Sequence, residues 1–310
     1  MTERFDNPHQ LAAAKVVVGV DGSEGSWTAV QWAADFAAER GRELEIVHGM
    51  ELIGTSWVLG GYEVLVPAVV DAVREHSKYV VARAEKLAHS VRPEQRVTSR
   101  VSTDTGRQLL IDHSAEAYAV VLGATGNTGT VAHLGSTLLA VTAHAQGTVV
   151  VVRTDPDADD TIHRSGPVVV GVDGSPVGEA AIAAAFAEAA ARDAELVAVH
   201  VWSDRDFGRF AGRVSLPEAE LDNAEQAILA ERLAGWQEKY PDVRVSRQIE
   251  VSAPAPHLLS WSKSAQLLVV GSRGRGGFAG LLLGSTANTL VQHASCPVMV
   301  VHPHAEQHGA

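Results

Sequence analysis

The chain of 310 residues contains a single cysteine, Cys296. One thiol cannot close an internal disulfide, so a disulfide-stapled scaffold is excluded and a reducing compartment fits. No apolar run reaches the roughly 18 to 20 residues that a membrane-spanning helix needs. The first ten residues, MTERFDNPHQ, are polar and acidic and lack the apolar stretch of a secretory signal. A cytoplasmic protein with no membrane partner is therefore expected. Basic side chains are also in deficit: 25 Lys and Arg stand against 37 Asp and Glu, for a formal net charge of −12. Nucleic-acid binding rests on a basic face, so no nucleic-acid partner is expected. Any anion bound here must be gripped locally, against a repelling background.

Apolar residues are plentiful at 46%, enough for packed cores in about two domains of ordinary size. The chain is written twice. Residues 16–23 read VVVGVDGS, and residues 168–175 read VVVGVDGS again. His48 in EIVHGM corresponds to His200 in VAVHVW, and LGSTLLAVTAHAQGTVVVV (134–152) aligns with LGSTANTLVQHASCPVMVV (283–301). The repeating unit is about 150 residues, too long for a solenoid repeat. The domains are expected at 12–153 and 166–303. The polar, acidic join RTDPDADDTIHRSG reads as a short exposed linker.

Each half has the same pattern. KVVVGV and PVVVGV are continuous β-branched runs, as expected of strands covered on both faces of a parallel sheet. Asp-Gly-Ser and an alanine-rich helix follow, with Ser175 as N-cap and Pro176 at the first helical position. Strands then alternate with helices, including long ones at about 63–91 and 217–239. The expected fold is α/β: two tandem open-sheet domains, each a five-stranded parallel sheet in the order 3-2-1-4-5 with helices on both faces. In that order the loops after strands one and four face one crevice at the switch point, where such sheets bind ligands.

The loop after the fourth strand of the second half begins GSRGRGGFAGLLLGST, residues 271–286. Gly271, Gly274, Gly276 and Gly277 allow backbone N–H groups to approach an anion closely. Gly284, Ser285 and Thr286 open a helix whose free N–H groups and dipole favour a phosphate. Arg273 and Arg275 add charge-assisted donors. Asp173 suits an adenine amino group, a ribose hydroxyl or a bound metal. Together these describe a nucleotide pocket. Walker A is absent, and dinucleotide-binding glycines would follow the first strand rather than the fourth.

Gly271-x2-Gly274-x9-Gly284-Ser285-Thr286, with VGVDGS at the first strand and HVW at the second, resembles the universal stress protein family over nearly the whole chain, as two tandem domains. The resemblance implies an ATP-binding stress-response module. Adenine would lie near Asp173 and Val201, with Gly171 and Val172 also among the nucleotide-site residues. Ribose and phosphates would lie on Gly271, Ser272, Arg273, Gly274, Arg275, Gly276 and Gly277, and on Gly284 to Thr286. The N-terminal counterpart comprises Gly19, Val20, Asp21, Gly49, Gly123, Ala124, Thr125, Gly126, Asn127, Gly135, Ser136 and Thr137. It departs from the motif: eight residues rather than nine separate Gly126 from Gly135, and its loop has no arginine. ATP, alone or with Mg2+, is the expected cofactor, and the C-terminal site is expected to be the tighter.

A slow ATPase is the alternative function. The His-x-Gly-His pair of α/β nucleotidyl transferases is missing, with His133-Leu134-Gly135-Ser136 the nearest approach. The phosphate end offers hydroxyls but no positioned base. His302, His304 and His308 read as a frayed tail, His48 and His200 as structural or pocket-wall residues, and Cys296 as a small core residue. Stretches 51–66 and 203–220 are long connections at the crevice mouth. The strands TVVVV and PVMVV are too apolar for open edges, so a homodimer or an internal pseudo-dimer is expected.

Overall fold

The computed structural model describes residues 14–50, 67–125, 135–202, 218–275 and 282–302. It consists of two compact units, Met1–Val152 and Arg153–Ala310. Unit 1 runs β1 (Val16–Gly19), α1 (Glu24–Glu39), β2 (Leu44–Gly49), α2 (Pro67–Val91), β3 (Val97–Ser102), α3 (Gly106–Ser114), β4 (Ala119–Gly123), α4 (Ser136–His144) and β5 (Val149–Val152). Its strands are parallel, in the order β3-β2-β1-β4-β5. Unit 2 runs β6 (Val168–Val172), α5 (Pro176–Ala191), β7 (Leu196–Trp202), α6 (Glu218–Lys239), β8 (Val245–Val251), α7 (Pro254–Ser262), β9 (Leu267–Gly271), α8 (Ser285–His293) and β10 (Val298–Val301). Its strands follow β8-β7-β6-β9-β10, the same topology. The order 3-2-1-4-5 thus holds in both units.

The cause lies in the strand sequences. Successive residues of a strand point to opposite faces. Val16, Val17 and Val18 are nevertheless only 0%, 2% and 0% exposed, so both faces of β1 are covered. β6 repeats this with Val168, Val169 and Val170. β3, at the outer edge, is mostly exposed and carries Thr98 and Arg100, which suits a strand with one open side. Aromatic rings seal the helix layers: Trp32 stacks on Phe36 at 4.5 Å in unit 1, and Phe186 lies 5.9 Å from Tyr240 in unit 2.

Helix starts follow their caps. Ser175 caps α5 by accepting from the Gly178 N–H, with Pro176 in the first turn, as its sequence predicts. The expected start of the long helix near 63 lies outside the described residues, and α2 is seen from Pro67.

The segment 153–166 departs from the exposed linker expected of it. Residues 156–161 and 164–166 are exposed, but Asp155 is buried. Arg153 donates from Nε to Ala294 O (2.6 Å) and from Nη1 to Val291 O (3.2 Å), at the C-terminal end of α8. Burial by itself would raise the Asp155 pKa. The Asp157 N–H and the His163 ring more than offset this and hold the carboxyl below the ordinary 3.8. His163 Nε2 sits 2.8 Å from Asp155 Oδ2, and its Nδ1 donates to Ala265 O at 3.0 Å. The acidic composition hid this, because one buried carboxylate looks like its exposed neighbours in sequence.

Candidate functional site

The turn after the first strand is built alike in both units. Gly22 and Gly174 have φ of 86° and 72°, a left-handed conformation that costs glycine little. The turn brings Ser175 N and Oγ to Asp173 Oδ1, at 3.0 and 2.8 Å. In unit 1 Ser23 N and Oγ meet Asp21 Oδ1 at 2.9 and 2.6 Å. The serine hydroxyl then accepts the N–H of Ser26 or Gly178 and caps the helix. The repeated VDGS is therefore first a folding signal, in which the aspartate organises its own turn.

The loop after the fourth strand meets that turn. In unit 2 the Arg275 N–H donates to Asp173 Oδ2 at 3.0 Å, so residues far apart in sequence share one carboxylate. Both oxygens of Asp173 already accept hydrogen bonds. A Cβ on Gly274 would lie 2.4 Å from Asp173 Oδ2, which is why position 274 is glycine. Gly171 is the penultimate residue of β6, followed by Val172, and Gly271 ends the neighbouring strand β9. Ser272 donates its N–H to Val301 O and accepts from Gly284 N, both at 2.7 Å. That pair ties the loop to the start of α8. The Ser272 hydroxyl is fully buried and has no partner among the described residues. No side chain caps α8 at Gly284, where Ser285 and Thr286 form the first turn. Arg273, Gly274 and Arg275 are exposed, while Gly276 and Gly277 lie outside the described residues.

A small pocket of about 70 Å3 opens at the same end of the sheet, lined by Val172, His200, Ile228, Leu229, Arg232 and Arg275. This is well below the ~300 Å3 at the low end of ligand sites, so it accommodates a group rather than a whole nucleotide. Val172 pairs with His200, so Val201 lies level with Asp173 on the adjacent strand. His200 Nδ1 faces the Val172 carbonyl at 2.7 Å, and His48 Nδ1 faces Val20 O at 2.7 Å. A carbonyl only accepts, so Nδ1 carries the proton in both rings. The histidines serve as buried ties between the first and second strands.

Unit 1 closes its crevice differently. A Cβ on Gly25 would fall 2.2 Å from Thr125 O, and one on Gly123 2.3 Å from Gly25 O. The first turn of α1 thus packs backbone to backbone on the loop at Gly123, Ala124 and Thr125. The Ser23 hydroxyl, shared with Asp21, also faces Thr125 O at 3.2 Å. Ala124 donates its N–H to Val152 O at 3.1 Å, as Ser272 does to Val301. Gly19 and Val20 end the β1 edge of this turn, and Val20 N donates to Val47 O at 3.0 Å. Gly49 packs elsewhere: a Cβ there would lie 2.4 Å from Gly106 N. Gly135 is an uncapped helix start like Gly284, followed by Ser136 and Thr137. Gly126 and Asn127 lie outside the described residues.

Arg232 is the site residue that motif reading missed. It sits on α6, in no glycine loop, and donates to Glu179 Oε1 at 2.6 Å. Unit 1 also has an arginine on its long helix, Arg83 on α2, which lies over the Trp27 ring at 4.5 Å. Among the described residues no group of three His, Cys, Asp or Glu side chains could hold a metal, and no helix is long and apolar enough to cross a membrane. His304 and His308 lie outside the described residues, as do the connections 51–66 and 203–217.

Comparison with known proteins agrees with this architecture. The model of the universal stress protein family matches residues 13–153 and again 165–302. A universal stress protein of Mycolicibacterium smegmatis (strain ATCC 700084 / mc(2)155) is 40% identical over 294 residues, covering 93% of this chain and 97% of its own. One from Mycobacterium tuberculosis (strain ATCC 25618 / H37Rv) is 42% identical over 294 residues, covering 92% and 96%. Among solved structures, a universal stress protein from Archaeoglobus fulgidus DSM 4304 superposes with a TM-score of 0.66 at 19% identity, covering 94% of this chain and 97% of its own. That likeness concerns the fold.

Proposed function

The chain belongs to the universal stress protein family, and from that premise we propose that it is an ATP-binding regulatory module without dedicated catalysis. The supporting observation is the hydrogen bond from Arg275 N to Asp173 Oδ2, which joins the first-strand turn to the glycine loop beside the uncapped start of α8. ATP fits the donor set there. The unpartnered Ser272 hydroxyl, the N–H groups at Gly284 to Thr286 and the Arg273 and Arg275 side chains suit phosphate oxygens. Mg2+, if carried, would enter on the nucleotide. The base would lie toward Val201 and the ribose toward Asp173. That carboxylate is already engaged, which places the weight of adenine selection on the strand-end backbone rather than on Asp173. A cytoplasmic module responding to nucleotide level is the reading that these features favour.

The test is to extract and identify small molecules from freshly purified protein, then to follow Mg-ATP with time. Retained adenine nucleotide without steady product release supports a binding module. Steady release of ADP points to an ATPase. Equal affinity for ATP and GTP in competition removes the adenine assignment.

A further inference from the structure

Two guanidinium groups converge beside Gly174 in unit 2. A Cβ on Gly174 would lie 2.2 Å from Arg275 Nη2 and 2.6 Å from Arg232 Nη2. Glycine's bare Cα and its φ of 72° leave room for this approach. The two arginines come from different elements, Arg232 from α6 and Arg275 from the loop after β9. Glu179 holds Arg232 through its Nη1, leaving Nη2 turned toward Gly174. Among the described residues the Arg275 guanidinium has no carboxylate within ion-pairing distance, and it is the backbone N–H of Arg275 that bonds Asp173. Like charges brought this close repel each other. An anion between them would reverse that sign, and guanidinium groups match phosphate oxygens in geometry.

The convergence point borders the small pocket of about 70 Å3, whose other walls are Val172, His200, Ile228 and Leu229. That volume suits one phosphate group. The pocket lies on the β7 and α6 side of Asp173, whereas the uncapped start of α8 lies beyond β9 on the other side. Anion donors thus flank the Asp173 turn on both sides. Unit 1 lacks this pair: its helix arginine, Arg83, lies over Trp27, which replaces Glu179 in the repeat.

We propose that Arg232 and Arg275 form a second phosphate subsite in the C-terminal unit, which takes a phosphate carried on the ribose 3′ oxygen of the bound nucleotide. This rests on the nucleotide-binding function proposed above. It makes unit 2 selective for nucleotides phosphorylated at both ends of the ribose, and Arg232 a specificity residue.

The test is calorimetry on the full chain with adenosine 5′-monophosphate and adenosine 3′,5′-bisphosphate, using wild type, Arg232→Gln and Arg232→Lys. The bisphosphate is expected to bind wild type about tenfold to a hundredfold more tightly than the monophosphate. Arg232→Gln should abolish that preference, lowering the bisphosphate affinity about tenfold or more beyond any change in the monophosphate affinity. Arg232→Lys, which keeps the charge but not the fork, should restore part of it. Equal binding of the two nucleotides by wild type overturns the subsite and leaves the nucleotide reading standing. A uniform loss for both nucleotides in Arg232→Gln also overturns the subsite, because it marks a general scaffold role. Failure of wild type to bind either nucleotide overturns the nucleotide reading and the subsite with it.

Discussion

The two halves share a strand frame and an aspartate turn but differ where the two loops meet. In unit 2 the loop reaches the turn through one hydrogen bond, from Arg275 N to Asp173. In unit 1 the loop lies directly on the helix start, with Gly25 against Thr125 and Gly123. The repeat position of Gly25 is Val177, whose side chain props the second helix off Gly271, with Val177 Cγ1 3.0 Å from where a Gly271 Cβ would lie. One side chain thus replaces the backbone contact of unit 1. The arginine on the long helix follows the same division, packing on Trp27 in one unit and reaching the crevice in the other. Duplication preserved what the fold requires and left the mouth free to diverge.

The largest expected effect comes from Gly274→Asp. Its Cβ would lie 2.4 Å from Asp173 Oδ2 and bring a second carboxylate against the first. Nucleotide affinity in unit 2 should fall by about a hundredfold or more, leaving only a weak site. Titration calorimetry on the full chain checks this, and an unchanged tight site would show that the comparison has the halves reversed. Gly25→Ala is the corresponding probe of unit 1. Its methyl group meets Thr125 O at 2.2 Å, so the helix must shift, at a cost of about 1 to 3 kcal/mol in denaturant unfolding. Val177→Ala, which removes atoms at the repeat position, should cost less. Equal costs would mean that the backbone contact in unit 1 is looser than its geometry implies.

Asp155→Asn acts on unit 2 alone. The folded-state pKa of Asp155 is depressed below 3.8, so its contribution is complete above the unfolded value and is lost as pH falls through the folded one. The variant should be less stable at pH 7, by about 1 to 3 kcal/mol for a lost charged hydrogen bond. The gap should close once the solution is more acidic than the folded pKa. Unfolding curves at neutral and strongly acidic pH measure it, and a pH-independent gap would assign the loss to packing. The smallest effect belongs to Arg83→Gln, which removes a cation over the Trp27 ring worth about 0.5 to 1 kcal/mol. It should lower the stability of unit 1 and leave nucleotide binding in unit 2 untouched.

Much of the frame was legible because it rests on local rules. VVVGV announces a doubly covered strand, and Asp-Gly-Ser followed by Pro176 announces a capped helix. The expected order 3-2-1-4-5 makes strands one and four neighbours, and the pairing of Val16 with Ala119 and of Val168 with Leu267 bears it out. The candidate site was legible only where it is made of loops. Arg232 escaped because a lone arginine on a helix carries no periodic or motif signal, and its role depends on a tertiary approach to Gly174. The engagement of Asp173 escaped for a related reason: an aspartate beside Gly-Ser reads equally as a ligand or as the organiser of its own turn. Asp155 sits in an acidic run that reads as linker, because burial is a property of the folded surroundings and not of the run.

Cys296 lies between α8 and β10 with no exposed surface, and burial pushes its thiol up to about 12. Only the thiolate reacts with alkylating or disulfide reagents, so in the native protein at neutral pH it is silent on two counts. Reaction must wait for the surrounding structure to open. Unit 1 carries no thiol, so every labelled molecule records an opening in unit 2. The lone cysteine is therefore a built-in clock for one half of the chain. With nucleotide present, a slower labelling rate would time how firmly the ligand holds that half shut.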